Sequence, residues 1–179
     1  MIGVSAAIAL WGEVGREWLR YDRAAIADGE VWRLVTGHLV HLGPAHFLMN
    51  AAGLGLVWFL FAREFDARGW LAILFAVVAG ISAGFWFLDP ELAWYVGLSG
   101  LLHGMLAAGI VAGLPGRRRE AVILAVLVAA KLVWEQLAGP LPGSEETAGG
   151  NVIVNAHLYG TLAGAVAGAI MRRLGQQKK

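Results

Sequence analysis

The sequence predicts an all-α integral membrane protein with six membrane segments. Hydrophobic residues make up 58% of the 179 residues and charged residues only 15%, against about 25% charged in an average globular protein. The chain contains 25 glycines, and glycine is more frequent in membrane helices than in soluble ones. All five prolines fall between apolar runs, so they divide the chain into separate segments.

Each predicted helix is an apolar run bounded by proline, glycine or charged residues. A hydrocarbon core of about 30 Å requires about 20 apolar residues in helical form, and most of the runs are close to that length. We expect a single membrane domain over residues 1–179, with a long outer loop at 13–45. The predicted segments are 1–12, 46–62, 70–88, 95–114, 121–138 and 152–171.

The first segment is shorter than the others. As a helix with a rise of 1.5 Å per residue, Met1 to Trp11 reaches only about 17 Å. We interpret it as a truncated or partly immersed helix. A cleaved signal peptide is disfavoured because the stretch lacks a basic start and an A-x-A cleavage site.

The charged residues predict the orientation in the membrane. The connections 89–94 and 139–151 carry acidic residues but no lysine or arginine. Basic residues collect at the opposite ends of the segments and in the C-terminal tail: Arg63, Arg68, Arg117, Arg118, Arg119, Arg172, Arg173, Lys178 and Lys179. By the positive-inside rule both termini are cytoplasmic and the loop 13–45 lies outside.

Composition also excludes several chemistries. The chain has no cysteine, which excludes disulfides, thiolate metal sites and cysteine nucleophiles. No basic tract is typical of a nucleic-acid-binding surface. We expect neither a metal nor a cofactor.

Four polar side chains fall at one depth on three predicted helices. His46 and Asn50 are spaced i, i+4 and share a helix face. Ser99 and His157 lie about four and five residues into their segments, which also enter from outside. At 1.5 Å per residue all four lie roughly 5–10 Å from the outer surface. Polar groups inside a membrane are costly and therefore mark candidate functional sites.

Ser99 is predicted to begin a short helix. From Ser99 to Leu114 a helix spans only about 23 Å, less than the hydrocarbon core of about 30 Å. The residues before Ser99 must descend as non-helical backbone, which is tolerated only inside protein or beside water. A helix N-terminus there offers free N–H groups to a developing oxyanion.

Glycines predict close packing between the fourth and sixth segments. Gly100 and Gly104 form one small-xxx-small pair, and Gly160, Gly164 and Gly168 continue a second series. Such faces allow two membrane helices to approach closely. The approach would bring Ser99 and His157 within hydrogen-bonding reach, as a nucleophile and its base require.

Three motifs, HLGPAHFLMN, GLSGLLHG and AHLYGTLAG, resemble those of the rhomboid intramembrane serine proteases in order and spacing. Trp32-Arg33 is similar to the WR motif of that family. The resemblance implies a six-helix rhomboid bundle and a Ser99–His157 dyad with His157 as general base. It implies no acidic third member, and no Asp or Glu falls in segments two, four or six. The other site residues that it implies are an oxyanion hole of His46, Asn50 and the Ser99 backbone N–H, and supporting roles for His41, Gly97 and Gly100.

Within that family, the small size and the stretches VWRLVTGHLVHLG, SGLLHG and WEQLAGPLPGS resemble the rhombosortase subgroup. That resemblance implies a location in the bacterial inner membrane, with the active site facing outward. The expected partner is a bilayer-embedded protein with a Gly-Gly-type C-terminal sorting tail whose helix contains small residues. The acyl-enzyme would pass to water or to an amine.

Several readings stay open at the level of sequence. His103 is i+4 from Ser99 and could serve as base, as a support or in a substrate pocket. Lys131 and Glu135 could form an ion pair, or Glu135 and Gln136 could line a substrate path, with 139–150 as a flexible cap. The alternative functions are an inactive rhomboid-like protein that binds membrane helices, and a bis-histidine haem protein.

Overall fold

A computed structural model describes residues 1–176 of the chain. Lys178 and Lys179, which enter the charge argument, lie outside the described residues. The helices are α1 Ile2–Leu10, α2 Gly12–Leu19, α3 Arg23–Ala27, α4 Arg33–Thr36, α5 Pro44–Phe61, α6 Ala67–Phe87, α7 Ser99–Gly113, α8 Arg118–Ala138, α9 Ser144–Ala148 and α10 Val154–Gln176. Two short strands, β1 Tyr21–Asp22 and β2 Trp94–Tyr95, and a 3-10 turn, Gly37–Leu39, complete the architecture.

Three helices within residues 1–176 are long and apolar enough to cross a membrane: α5, α6 and α8. Local sequence signals set their ends. Pro44 opens α5, where its missing N–H costs nothing. The Asp66 side chain caps α6 by accepting a hydrogen bond from the Gly69 N–H at 2.7 Å. Gly139, at φ +82°, ends α8.

The helix α7 begins at Ser99 and has 15 residues, so it covers only about 22 Å. The four residues before it are not helical, as the length argument predicts. The predicted fourth segment, 95–114, therefore consists of a non-helical entry followed by α7. Trp94 and Tyr95 instead form β2, which pairs antiparallel with β1 in the register Tyr21 to Tyr95 and Asp22 to Trp94.

This strand pair corrects the all-α prediction in one detail. The backbone N–H and C=O groups of a non-helical segment must find hydrogen-bond partners outside that segment. The ladder with β1 supplies them, together with a hydrogen bond from the Gly97 N–H to the Gly37 carbonyl at 3.1 Å. Residues 13–45 thus hold the extended approach to Ser99.

The stretch 13–45 is not the simple loop that the sequence predicted. It contains α2, α3 and α4 and the 3-10 turn. These helices have at most eight residues, too few to give a periodic apolar pattern in the sequence. At the N-terminus, α1 has nine residues and reaches only about 14 Å. It is too short to cross a membrane alone.

Two arginines hold the stretch 13–45 in place. Arg33 is buried and donates to the carbonyls of Glu17 at 2.7 Å and Arg20 at 3.0 Å. Arg23 donates to the carbonyls of Leu92 and Asp89 and to that of Phe85, at the end of α6. The stretch 13–45 is therefore tied to the chain that leads into Ser99.

The core of the bundle surrounds α7. Ile73, Val77, Ile81 and Phe85 of α6 are completely buried in it. On another side α7 packs against α10 through backbone rather than side chains. A Cβ atom on Gly160 would overlap the Gly100 carbonyl, and one on Gly164 would overlap the backbone of Gly104. This contact places the start of α7 beside the first turns of α10.

Candidate active site

A cavity of about 340 Å³ lies among α5, α7, α8, α9 and α10. Most of its lining is apolar, and a few polar groups converge in it, as is typical of ligand sites. Leu141, Ser144 and Ala148 line part of it, and the segment predicted to be a flexible cap contains the short helix α9. The polar lining includes His46, Asn50, Ser99, His103, Lys131, Glu135 and His157.

Ser99 and His157 meet in this cavity. The His157 Nε2 atom lies 3.0 Å from the Ser99 Oγ atom, within the range for a nucleophile and its base. Ser99 is the first residue of α7, and His157 is a buried residue in the first turn of α10. Two residues before Ser99, Gly97 adopts φ +133°, a conformation that other residues rarely adopt. A Cβ there would lie 3.2 Å from the His46 ring.

His46 and Asn50 present hydrogen-bond donors to the same cavity. The His46 Nδ1 atom accepts from the Leu42 N–H at 3.4 Å, so its Nε2 atom carries the proton. Asn50 is buried, and its Nδ2 atom has no partner among the described residues. A buried donor without an acceptor is costly. The two side chains are therefore suited to bind an oxygen that becomes negatively charged.

His41 packs behind His46 rather than in the Ser99 cavity. The two rings meet edge to face, with 5.0 Å between centroids. Burial, with a smaller contribution from His46, lowers the pKa of His41 to about 4, so the ring is neutral near pH 7. Its contacts are those of a residue that supports His46.

His103 contacts both members of the Ser99–His157 pair without reaching the Ser99 hydroxyl in a hydrogen bond. Its Nδ1 atom donates to the Ser99 carbonyl at 2.7 Å. Its ring stacks on that of His157, with centroids 4.2 Å apart and planes inclined by 21°. These contacts favour a supporting role over that of the base. Stacked rings at this distance also leave no room for a porphyrin between them.

Sequence reasoning missed the partner of His157. The Nδ1 atom of His157 lies 2.9 and 3.0 Å from the two carboxylate oxygens of Glu135. Glu135 comes from α8, in the fifth predicted segment, whereas the predicted absence of an acidic partner rests on segments two, four and six. Lys131 and Glu135 do form the expected ion pair, at 2.6 Å. Gln136, in contrast, is exposed and does not line the cavity.

Comparison with known proteins identifies the family. Over residues 28–174 the sequence matches the family described as "Rhomboid domain". This chain belongs to the rhomboid family. With its apolar helices, that membership makes it an integral membrane protein.

One curated relative of this rhomboid is "Rhomboid protease GluP" from Bacillus subtilis (strain 168). The two are 33% identical over 98 residues, which cover 54% of this chain and 19% of the relative. The chain thus aligns with about a fifth of that protein's length.

Trp32 and Arg33 lie outside the cavity of this rhomboid. Trp32 is half-exposed, whereas the Arg33 guanidinium is buried and also pairs with Glu30 at 2.6 Å. Their placement favours a structural role within the stretch 13–45. Among the described residues no group of three His, Asp or Glu side chains could hold a metal ion.

The resemblance implies that Asn50 is an oxyanion donor, and on that assignment Asn50→Ala is expected to lower kcat on a reconstituted substrate by about 10²- to 10³-fold. KM should change little, because the donor acts on charge that develops in the transition state. The matched control is Asn155→Ala, which removes an amide outside the cavity that binds Asp89 at 2.8 Å. Wild-type kcat for Asn50→Ala would contradict the assignment.

Proposed function

We propose that this rhomboid is an intramembrane serine endopeptidase that uses a Ser99–His157 dyad. The observation that carries the proposal is the 3.0 Å contact between His157 Nε2 and Ser99 Oγ at the head of a short helix. Serine alone is a weak nucleophile and requires an adjacent base. The cavity supplies that base and, in Asn50 and His46, donors for the oxyanion.

The reaction follows from these positions. His157 Nε2 accepts the Ser99 proton as Oγ bonds to the scissile carbonyl carbon, whose oxygen becomes an oxyanion. Asn50 Nδ2, His46 Nε2 and the Ser99 backbone N–H donate to that oxygen. His157 then gives the proton to the leaving amine as the peptide bond breaks. Water, deprotonated by His157, cleaves the acyl ester and restores Ser99.

The proposed arrangement has six membrane segments in a bacterial inner membrane, both termini in the cytoplasm and the cavity toward the outer side. Contacts at the far end of the bundle support it. Arg117, beyond the end of α7, donates to the Leu60 carbonyl at 3.2 Å and pairs with Glu64. This basic end lies one helix length away from Ser99, as the positive-inside rule requires.

The proposed substrate is a membrane-anchored protein with a Gly-Gly-type C-terminal tail, as in a rhombosortase. Two observations support small residues at the cleavage point. The cavity has a volume of only about 340 Å³, and Ser144 and Ala148 of α9 line part of it. An extended peptide without side chains fits such a site more readily than a bulky one. The acyl-enzyme is proposed to pass to water or to an amine.

The test is cleavage of a tail substrate in proteoliposomes. The substrate ends in Gly-Gly, an apolar helix and a basic end, and the matched substrate carries Val-Val in place of Gly-Gly. We expect the Gly-Gly substrate to be cleaved at least about 10-fold faster, an amount within the range of steric discrimination in a pocket. Mass spectrometry with an added amine distinguishes an acid product from an amide product.

Equal cleavage of both substrates would contradict the tail specificity and leave the protease assignment intact. Cleavage of neither substrate, together with no reaction of Ser99 with a fluorophosphonate, would contradict the protease assignment itself. The fluorophosphonate is informative because it reacts with an activated serine without requiring recognition of a peptide.

A further inference from the structure

The carboxylate of Glu135 lies on the side of the His157 ring opposite Ser99. Glu135 is only 3% exposed, in a helix made mostly of apolar residues. Its oxygens lie 2.9 and 3.0 Å from His157 Nδ1, and one of them lies 2.6 Å from the Lys131 ammonium. A buried carboxylate is costly unless it is paired and hydrogen-bonded. Here both conditions are met, and the partners lie in the reaction cavity.

This contact fixes which nitrogen of His157 carries the proton. An ionised carboxylate only accepts hydrogen bonds, so Nδ1 must be the donor toward Glu135. The Nε2 atom then has a free lone pair, and that atom faces the Ser99 hydroxyl at 3.0 Å. The ring is thereby held in the tautomer that a general base requires.

The Lys131 ammonium offers the competing possibility. It lies 3.3 Å from His157 Nδ1, and a hydrogen bond from it would force the proton onto Nε2. That tautomer cannot accept the Ser99 proton. The shorter contacts decide between the two: Lys131 donates to Glu135 at 2.6 Å, and the carboxylate has an oxygen for each donor.

We infer that Glu135 is a positioning residue that completes a Ser99–His157–Glu135 triad. The inference rests on the protease function proposed above. Glu135 orients the imidazole and balances the positive charge that His157 gains when it takes the proton. Between turnovers the Lys131 ammonium balances the negative charge of the Glu135 carboxylate. His103 stacks on the face of the His157 ring and limits its tilt, while Glu135 holds the edge of the ring at Nδ1.

The test compares Glu135→Gln with wild type by three measurements. These are kcat and KM on the tail substrate, the rate of fluorophosphonate labelling of Ser99, and the unfolding temperature in detergent. The glutamine amide has one acceptor oxygen, whereas the carboxylate offers one oxygen to each of its two donors, Lys131 and His157. We expect kcat and the labelling rate to fall by about 10²- to 10⁴-fold, the range for triads that lose their acidic member. KM should stay within about twofold, since the carboxylate acts on the transition state.

Two further variants separate positioning from a structural role. Glu135→Asp keeps a negative charge beside Lys131, but its side chain is one methylene shorter and no longer reaches His157. This variant should therefore fold, and its Ser99 should still be labelled more slowly than in wild type. The double variant Lys131→Met/Glu135→Leu removes the ion pair together with its charge. If Glu135 served only as the partner of Lys131, this double variant would label at the wild-type rate, and the inference would be overturned. Glu120→Gln, exposed on the same helix, is the matched control and should label like wild type.

The outcomes also separate this inference from the proposed function. Wild-type labelling rates in Glu135→Gln would overturn the triad and leave the protease assignment standing. A change in KM alone, with labelling unaffected, would make Glu135 a substrate-binding residue and also overturn it. If wild-type protein is not labelled at all, both the protease assignment and the triad fall.

Discussion

Ser99→Ala and His157→Ala are each expected to abolish cleavage of the tail substrate and labelling by a fluorophosphonate. Removal of Oγ takes away the atom that forms the acyl-enzyme, so no covalent adduct can form. Removal of the imidazole leaves the hydroxyl without a base at 3.0 Å. Because members of such a unit act together, loss of either should lower kcat by about 10⁴-fold or more.

The control must show that the variants are folded. Ser82→Ala is matched in chemistry, because the Ser82 hydroxyl is buried outside the cavity and donates to the Leu34 carbonyl at 3.0 Å. It should cleave and label at close to the wild-type rate. All three variants are compared with wild type by their unfolding temperature in detergent. Labelling that persists in Ser99→Ala would show that the probe reacts elsewhere, and the assignment of the nucleophile would be wrong.

Residual cleavage in His157→Ala would have a specific meaning. His103 is the other imidazole beside Ser99, and its Nδ1 atom is bound to the Ser99 carbonyl. If His157→Ala kept activity and the double variant with His103→Ala lost it, His103 would be the base. The geometry argues against this outcome, because His103 stacks on the face of His157 instead of pointing at Oγ.

The sequence predicts the parts of this site that depend on depth and spacing. The sequence predicts a short helix that begins at Ser99 and is too short to cross the membrane, and α7 does begin at Ser99. His46 and Asn50 share a face because of their i, i+4 spacing. The three-motif resemblance agrees with the matched family. These features are local or nearly so.

The remaining features depend on how helices rotate against each other. Lys131 and Glu135 are recognisable as an i, i+4 pair, but the sequence does not say that α8 turns this pair toward His157. Likewise, the pairing of Tyr21 with Tyr95 joins strands of two residues, which have no periodic signal. In both cases long-range packing decides the contact. The acidic partner of the base was missed for this reason.

The packing of α7 on α10 holds Ser99 close to His157, and substitution of Gly164 tests this packing. A Cβ at this position would overlap the backbone of Gly104, and backbone cannot move aside as a flexible side chain does. Gly164→Ala is expected to cost about 1–3 kcal/mol of unfolding free energy, typical of an overpacked core. Gly164→Leu should prevent the two helices from packing and leave no protein that cleaves or labels.

The matched control is Gly55, an exposed residue of α5 where an added Cβ would meet open space. Gly55→Ala should stabilise the protein by about 0.5–1 kcal/mol, since alanine is the better helix former, and Gly55→Leu should be tolerated. The unfolding temperature in detergent and the labelling rate are measured for the Gly164 variants and the Gly55 variants, and together they separate the two sets. Labelling should also fall by about 10²-fold in Gly164→Ala, because a shift of about 1 Å between reacting groups has that effect.

A wild-type unfolding temperature and labelling rate for Gly164→Ala would contradict the close backbone packing. A lower unfolding temperature with unchanged labelling would show that α10 can shift without moving His157. The expected joint loss follows from the position of His157, which lies on the same helix as Gly164, two turns earlier. Since α10 carries the proposed base and α7 the proposed nucleophile, the glycines that set the distance between these helices also set the distance across which the proton is proposed to move.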